Sequence, residues 1–244
     1  MAKIPFEGQP EAGIYLLNKP SGWTSFDLVK FLHGCLSRHF KRRVKVGHAG
    51  TLDPLAQGLM VLASGPLTRE LARLTSDDKE YEATLCLGQS TPSHDRETPV
   101  NERKPIPFLT VSDIENTLRK FEGEQFQTPP LYSAVKIQGR RAYQWARKGM
   151  SLSLKPRPIH IFRLQLLEWN SPYLSLYIHC SKGTYIRSLA RDLGHALGTV
   201  AVLERLVRTR SGAYRLSDAA SMEELKAFCQ NFNPDCSELS ENTL

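Results

Sequence analysis

Asp53 stands at the centre of the most heavily punctuated stretch of the chain, Gly47-His-Ala-Gly-Thr-Leu-Asp-Pro-Leu-Ala-Gln-Gly58. Three glycines and a proline in twelve residues demand a backbone held in tight turns, and Pro54 pushes Asp53 out of the helical region. A carboxylate displayed in this way is a candidate for chemistry; the alternative is an Asx-type turn in which Asp53 caps its own backbone. The stretch is not a phosphate-cradling loop, because no Gly-Lys-Ser/Thr follows it. The second candidate is Cys180-Ser-Lys-Gly-Thr-Tyr-Ile-Arg-Ser-Leu189, where a strand passes through Gly183 into a helix. There the planar guanidinium of Arg187 could pair with a carboxylate from another loop, or simply decorate an amphipathic helix. Tyr81, in Lys79-Glu-Tyr-Glu82, either stacks on a planar ligand or packs in the core. No Gly-x-Ser-x-Gly elbow is present, and no two histidines stand at i, i+4, so neither a serine nucleophile nor a metal site is expected.

Charge narrows the class of partner. The chain of 244 residues carries 32 Lys+Arg against 25 Asp+Glu, a net +7 that is unevenly placed. Ser217 to Leu244 holds six acids and one lysine, a net −5, which leaves thirty-one basic and nineteen acidic residues, net +12, in the rest. Gln125 to Leu167 contains no acid but eight lysines and arginines, and Arg38 to Lys45 has five basic residues in eight positions. Two such blocks point to a polyanion, of which nucleic acid is the commonest. No apolar run approaches the ~18–20 residues of a membrane span, and Met1-Ala-Lys-Ile-Pro-Phe-Glu lacks the apolar core of a signal peptide. Five scattered cysteines without a C-x-x-C pair suggest reduced thiols, and the expected location is cytoplasmic.

The elements that must position these groups can be read from periodicity. Gly13 to Asn18 is a buried strand closed by the turn Lys19-Pro-Ser-Gly22. Thr24 or Ser25 caps a helix with apolar positions Phe26, Val29, Leu32 and Leu36. Val44 to Gly47 and Leu59 to Ala63 are short strands around the Asp53 loop, and Pro66 opens a helix through Leu67, Leu71 and Leu74. Tyr81 to Leu87 alternates as a strand, whereas Gly88 to Phe108, polar and rich in proline, reads as a long surface excursion. Ser112-x-x-Glu115 is a capping box for a helix ending near Gly123. Ile159 to Trp169 and Tyr173 to Cys180 are strands joined at Asn170-Ser-Pro172, and Thr184 to Leu197 is a helix stopped by Gly198. The mixture predicts an α+β fold, with no linker that divides it.

Several ordered motifs together resemble one family. Leu17-Asn-Lys-Pro-Ser-Gly-Trp-Thr-Ser25, the Gly-His-x-Gly-Thr-Leu-Asp-Pro-Leu-Ala stretch, Lys79-x-Tyr81, Pro129-Pro-Leu-Tyr-Ser-Ala-Val-Lys136 with Gly139, and Gly-Thr-Tyr-Ile-Arg are similar to those of the TruB pseudouridine synthases, from about Gly13 to Tyr214. The resemblance implies a mixed, mostly antiparallel sheet flanked by helices, with an RNA-binding cleft. It implies that Asp53 is the catalytic nucleophile, that Arg187 pairs with it, and that His48, Tyr81, Tyr185 and Leu203 serve the flipped uridine. It implies no cofactor and no metal, and as substrate the T arm of tRNA, with uridine 55 as the target. Lys19, Lys136, Arg140 and Arg141 are expected RNA contacts, the last three within a basic RNA-gripping insertion over residues 125–157. Ala49 and Gln57 depart from the usual motif without replacing a chemical group. The catalytic domain is expected over residues 1–214, followed by a short acidic tail, 215–244, in place of the RNA-binding module of the PUA type found in many bacterial members. A monomer without a membrane or an obligate protein partner is expected.

Overall fold

The computed structural model describes residues 6–9, 11–133, 135–137, 139–146, 149–150, 152 and 154–232. From the N-terminus, β1 (Phe6–Gln9), β2 (Ala12–Lys19), α1 (Ser25–His39), β3 (Val46–His48) and β4 (Gln57–Ser64) lead through a 3-10 turn to α2 (Leu71–Ser76). Next come β5 (Lys79–Leu87), β6 (Gln89–Ser90), β7 (Glu102–Arg103), α3 (Val111–Arg119) and β8 (Gly123–Gln127). A small hairpin of β9 (Lys136–Ile137) and β10 (Arg140–Arg141) precedes α4 (Ala142–Ala146). The chain closes with β11 (Arg157–Asn170), β12 (Tyr173–Cys180), α5 (Ile186–Ala196), β13 (Ala201–Ser211), β14 (Tyr214–Arg215) and α6 (Met222–Phe232). These form two compact units: Met1–Lys79 with Val207–Leu244, and Glu80–Leu206. No linker marks this division, because the first unit is assembled from both ends of the chain.

In the first unit β4 is central, antiparallel to β2 with Leu17 opposite Met60, antiparallel to β3, and parallel to β13 with Arg208 opposite Gly58. Side chains from Leu59 to Ala63 are buried along both faces of β4, as its unbroken apolar run requires. Thr24 caps α1 through a capping box with Asp27. Leu28, Leu32 and Leu36 are fully buried, each stabilising the fold by about 1.5–3 kcal/mol relative to exposure. Phe26, expected on that stripe, instead lies exposed, and Leu28 takes the inward position. Helix α6 starts from Ser221, whose hydroxyl accepts from the Glu224 amide, and places Phe228 edge-on to Tyr15. It also carries Cys229, disulfide-bonded to Cys35 of α1 across a sequence separation of 194. The expectation of reduced thiols fails for this pair: spacing along the chain does not register two helices that meet only in the folded unit. Cys86 and Cys180 are free and buried.

In the second unit the strands run β5-β12-β11-β8, with β11 antiparallel to both β12 and β8. Ile159, Ile161, Leu164, Leu174, Leu176 and Ile178 line a buried face, and α3 and α5 bury Ile114, Leu118, Leu189 and Leu193. The cap of α3 lies two residues earlier than expected: Thr110 and Asp113, not Ser112 and Glu115, form the capping box. The Pro66 segment is a 3-10 turn (Gly65–Glu70) before α2 rather than one continuous helix. Gly88 to Phe108 is only partly a surface excursion, since Thr91, Ser93 and Asp95 at its centre are buried. Their polarity is satisfied inward: the hydroxyls of Thr91 and Ser93 both donate to the Asp95 carbonyl. No described helix is long and apolar enough to cross a membrane.

Candidate functional site

The loop that carries Asp53 is held from beneath by three side chains of its own unit. Ser25, at the start of α1, accepts from the Leu52 amide at 2.8 Å and donates to the Leu52 carbonyl at 2.9 Å. Lys19 donates to the carbonyls of Pro54, Trp23 and Pro20 at 3.0, 2.6 and 2.9 Å. Arg208 of β13 donates from Nε to the Leu59 carbonyl at 2.7 Å and from Nη2 to the Gly50 carbonyl at 3.2 Å. The backbone on both sides of Asp53 is therefore fixed, while Asp53 itself remains partly exposed. Two glycines make the arrangement possible. Gly50 and Gly58 have φ of +105° and +102°, and a Cβ on Gly58 would overlap the Arg208 backbone. The Asp53 carbonyl closes a turn by accepting from the Ala56 amide at 3.1 Å.

Lys19, expected as an RNA contact, is fully buried, and its ammonium is occupied by backbone carbonyls. Its ammonium lies inside the loop, turned to the backbone rather than to the surface. Burial pushes Lys19 down to about 8, partly opposed by the charge of Asp53. His48, on β3, is likewise held below its usual value, first by burial and then by the Arg208 charge. The imidazole is thus neutral near pH 7.

In the second unit Arg187 is buried near the start of α5. Its Nη1 donates to the Ser93 carbonyl at 3.1 Å, Nη2 donates to the Tyr132 carbonyl at 2.9 Å, and Nε lies 3.5 Å from Oδ2 of Asp95. Of the two sequence readings, the surface decoration is overturned; within its own unit the carboxylate that Arg187 meets is Asp95. Tyr185 is the N-cap of α5 and is gripped by one side chain, since the Gln127 amide accepts from the Tyr185 N–H at 2.8 Å and donates to its carbonyl at 3.1 Å. Leu203 is buried, and its amide donates to the His94 carbonyl at 3.0 Å, next to Asp95. His94, with φ of 62°, is pushed down to about 4 by burial and by Arg191 and Arg187. Tyr81 is buried on β5.

Arg140 and Arg141 are exposed on β10, with Arg140 5.4 Å from the Trp145 ring. Lys136 lies in β9, and its side chain falls outside the described residues, as does the tail beyond Phe232. The ends of the 125–157 insertion are anchored in the sheet: Arg157 lies opposite Gln127. Among the described residues no group of three His, Cys, Asp or Glu side chains could hold a metal ion.

Comparison with known proteins decides the family. Residues 38–186 match the model of the TruB family pseudouridylate synthase N-terminal domain, and residues 187–241 that of the tRNA pseudouridylate synthase B C-terminal domain. This chain belongs to the TruB family. It is 46% identical over 218 residues to a tRNA pseudouridine synthase B of Parabacteroides distasonis, covering 89% of this chain and 93% of that protein. A second TruB relative, the tRNA pseudouridine synthase B of Opitutus terrae, is 40% identical over 215 residues, 88% of this chain and 87% of that one. Among solved structures, a chain of a Cbf5–Nop10–Gar1 complex matches with a TM-score of 0.70 at 27% identity, over 94% of this chain and 58% of that chain. The α+β architecture with a largely antiparallel sheet is therefore the pseudouridine synthase fold.

Four residues that fix the TruB motifs in place were not singled out from sequence: Ser25 and Arg208 under the Asp53 loop, Asp95 on Arg187, and Gln127 on Tyr185. Ser25 sits within a recognised motif, so its role was within reach. Arg208 and Asp95 carry no local signal, because their partners are 158 and 92 positions away.

Proposed function

We propose that the chain isomerises uridine to pseudouridine in tRNA, at uridine 55 of the T loop, with Asp53 as the nucleophile. Family membership supports the reaction. The observation that carries the residue assignment is the locked loop: a partly exposed carboxylate whose flanking carbonyls are held by Arg208 and Lys19. The reaction breaks the N1–C1′ bond, rotates the uracil and forms a C5–C1′ bond, C5 losing its proton and N1 taking one up, with no net redox change and no phosphate energy, so no cofactor takes part. Extrusion of the base costs a few kcal/mol. Tyr81 is assigned to stacking on the extruded base, worth roughly 1–3 kcal/mol. Asp53 acts in its ionised form, and Arg187 is assigned as the cation that favours it. His48, Tyr185 and Leu203 are assigned to the uridine, and Arg140, Arg141 and Lys136 to RNA phosphates. The protein acts in the cytoplasm as a monomer.

The test uses the purified chain and a tRNA transcript, with neither a guide RNA nor a protein partner. One pseudouridine per transcript is expected, and none when position 55 is changed to cytidine. Modification that requires a guide RNA would instead favour the RNA-guided branch of these enzymes.

A further inference from the structure

We infer that Arg208 is a positioning residue for the isomerisation, locking the backbone on both sides of Asp53 so that turnover depends on its two-carbonyl grip. The inference rests on the reading of Asp53 as the nucleophile.

Arg208 is among the largest fully buried side chains of the protein. A buried guanidinium costs far more to desolvate than a hydrophobic side chain of the same volume, so packing alone does not account for it. Its bonds go to the carbonyls of Gly50 and Leu59, which bracket Asp53 in the sequence, with Nη2 also 3.1 Å from Met60 Sδ. Three constraints place the group there. The parallel register sets Arg208 opposite Gly58, the absence of a Cβ at Gly58 lets the strands meet, and the positive φ at Gly50 turns the loop at its start. Ser25 and Lys19 hold the intervening carbonyls of Leu52 and Pro54, so Arg208 completes a set. Its planar fork reaches two carbonyls at once, which a point-like ammonium does not. Its charge also bears on His48, on the strand leading into the loop.

Displacement of a reacting group by about 1 Å can cost about a hundredfold in rate. The experiment measures single-turnover pseudouridine formation, tRNA affinity and thermal unfolding for the wild type, Arg208→Lys, Arg208→Met and Asp53→Asn. For Arg208→Lys the expected result is a folded protein with Tm within a few degrees of wild type, tRNA Kd within about threefold, and a rate reduced roughly ten- to a hundredfold. Arg208→Met should be slower still; if it does not fold, Arg208→Lys decides. A wild-type rate in Arg208→Lys overturns the inference, and so does a loss of rate that only tracks a loss of folded protein or of tRNA binding. An active Asp53→Asn protein would remove the nucleophile assignment itself, and with it the inference. An inactive Asp53→Asn beside a fully active Arg208→Lys removes the inference alone.

Discussion

Asp95 and Arg187 form an ion pair at 3.5 Å in which the side chains are only 7% and 4% exposed. The Glu97 amide donates to the other carboxylate oxygen, Oδ1, at 3.0 Å, so one acid joins a loop to the guanidinium. Removing one partner of a buried pair typically costs 3–5 kcal/mol, because the other charge is left without compensation. Asp95→Asn keeps the shape and one acceptor, so a loss near about 3 kcal/mol is expected from urea unfolding. Turnover on tRNA should fall at least tenfold. If neither quantity changes, the pair does not position Arg187.

Asp53→Asn removes only a charge. Single-turnover pseudouridine formation is expected to vanish while filter-binding affinity for tRNA stays within about threefold. Appreciable turnover by the pure variant would refute the nucleophile assignment.

The exposed pair Arg140 and Arg141 should act on phosphates. If it does, log K for tRNA falls linearly with log salt, with a slope of about −0.7 to −0.9 per phosphate neutralised. Reversing both to Glu should weaken binding and flatten the slope by one to two phosphates. An unchanged slope places the RNA path elsewhere.

Lys19 gives a pH signature with a defined sign. In the folded protein burial brings it to about 8, whereas the unfolded chain keeps the ordinary value of 10.5. Between these values the unfolded state binds more protons, so stability from this group is lowest below pH 8 and rises with pH through the window. Urea midpoints of the wild type, taken relative to Lys19→Met, should therefore climb from pH 7.5 to 10. Parallel profiles would show that Lys19 keeps its proton.

The Cys35–Cys229 bond closes a span of 194 residues. The chain-entropy relation gives about 5 kcal/mol for a loop of that size, or on the order of 10 °C in Tm for a chain of this length. Reductant should lower the Tm of the wild type and leave Cys229→Ser unaffected. Equal responses would mean that the bond does not hold α6 in place.

What could be read in advance divides along physical lines. Local signals worked: Thr24 caps α1 within its own turn, Asn170 to Pro172 joins β11 to β12, and Gly198, with φ of +79°, follows the end of α5. The α+β class and the Asp53 loop followed from the same kind of signal, short-range periodicity and turn chemistry. The errors over Asp95 and Lys19 came from partners distant in sequence, and the misplaced cap of α3 from two equivalent local signals. A polar, proline-rich segment suggests solvent, yet Asp95 turns inward because Arg187 waits there. Lys19 looks like a phosphate ligand until the carbonyl of Pro54 takes up its ammonium. Ser112 and Glu115 have the spacing of a capping box, but Thr110 and Asp113 have it too, and spacing does not choose between them.

The grip of Arg208 on Gly50 joins residues made 158 positions apart. At roughly 5–20 residues per second, about ten to thirty seconds of translation separate the two. A nascent chain that has already exposed Asp53 therefore lacks the strand that locks its loop. Until β13 leaves the ribosome the loop is without the guanidinium that holds its two ends, so the frame around Asp53 is completed only late in synthesis.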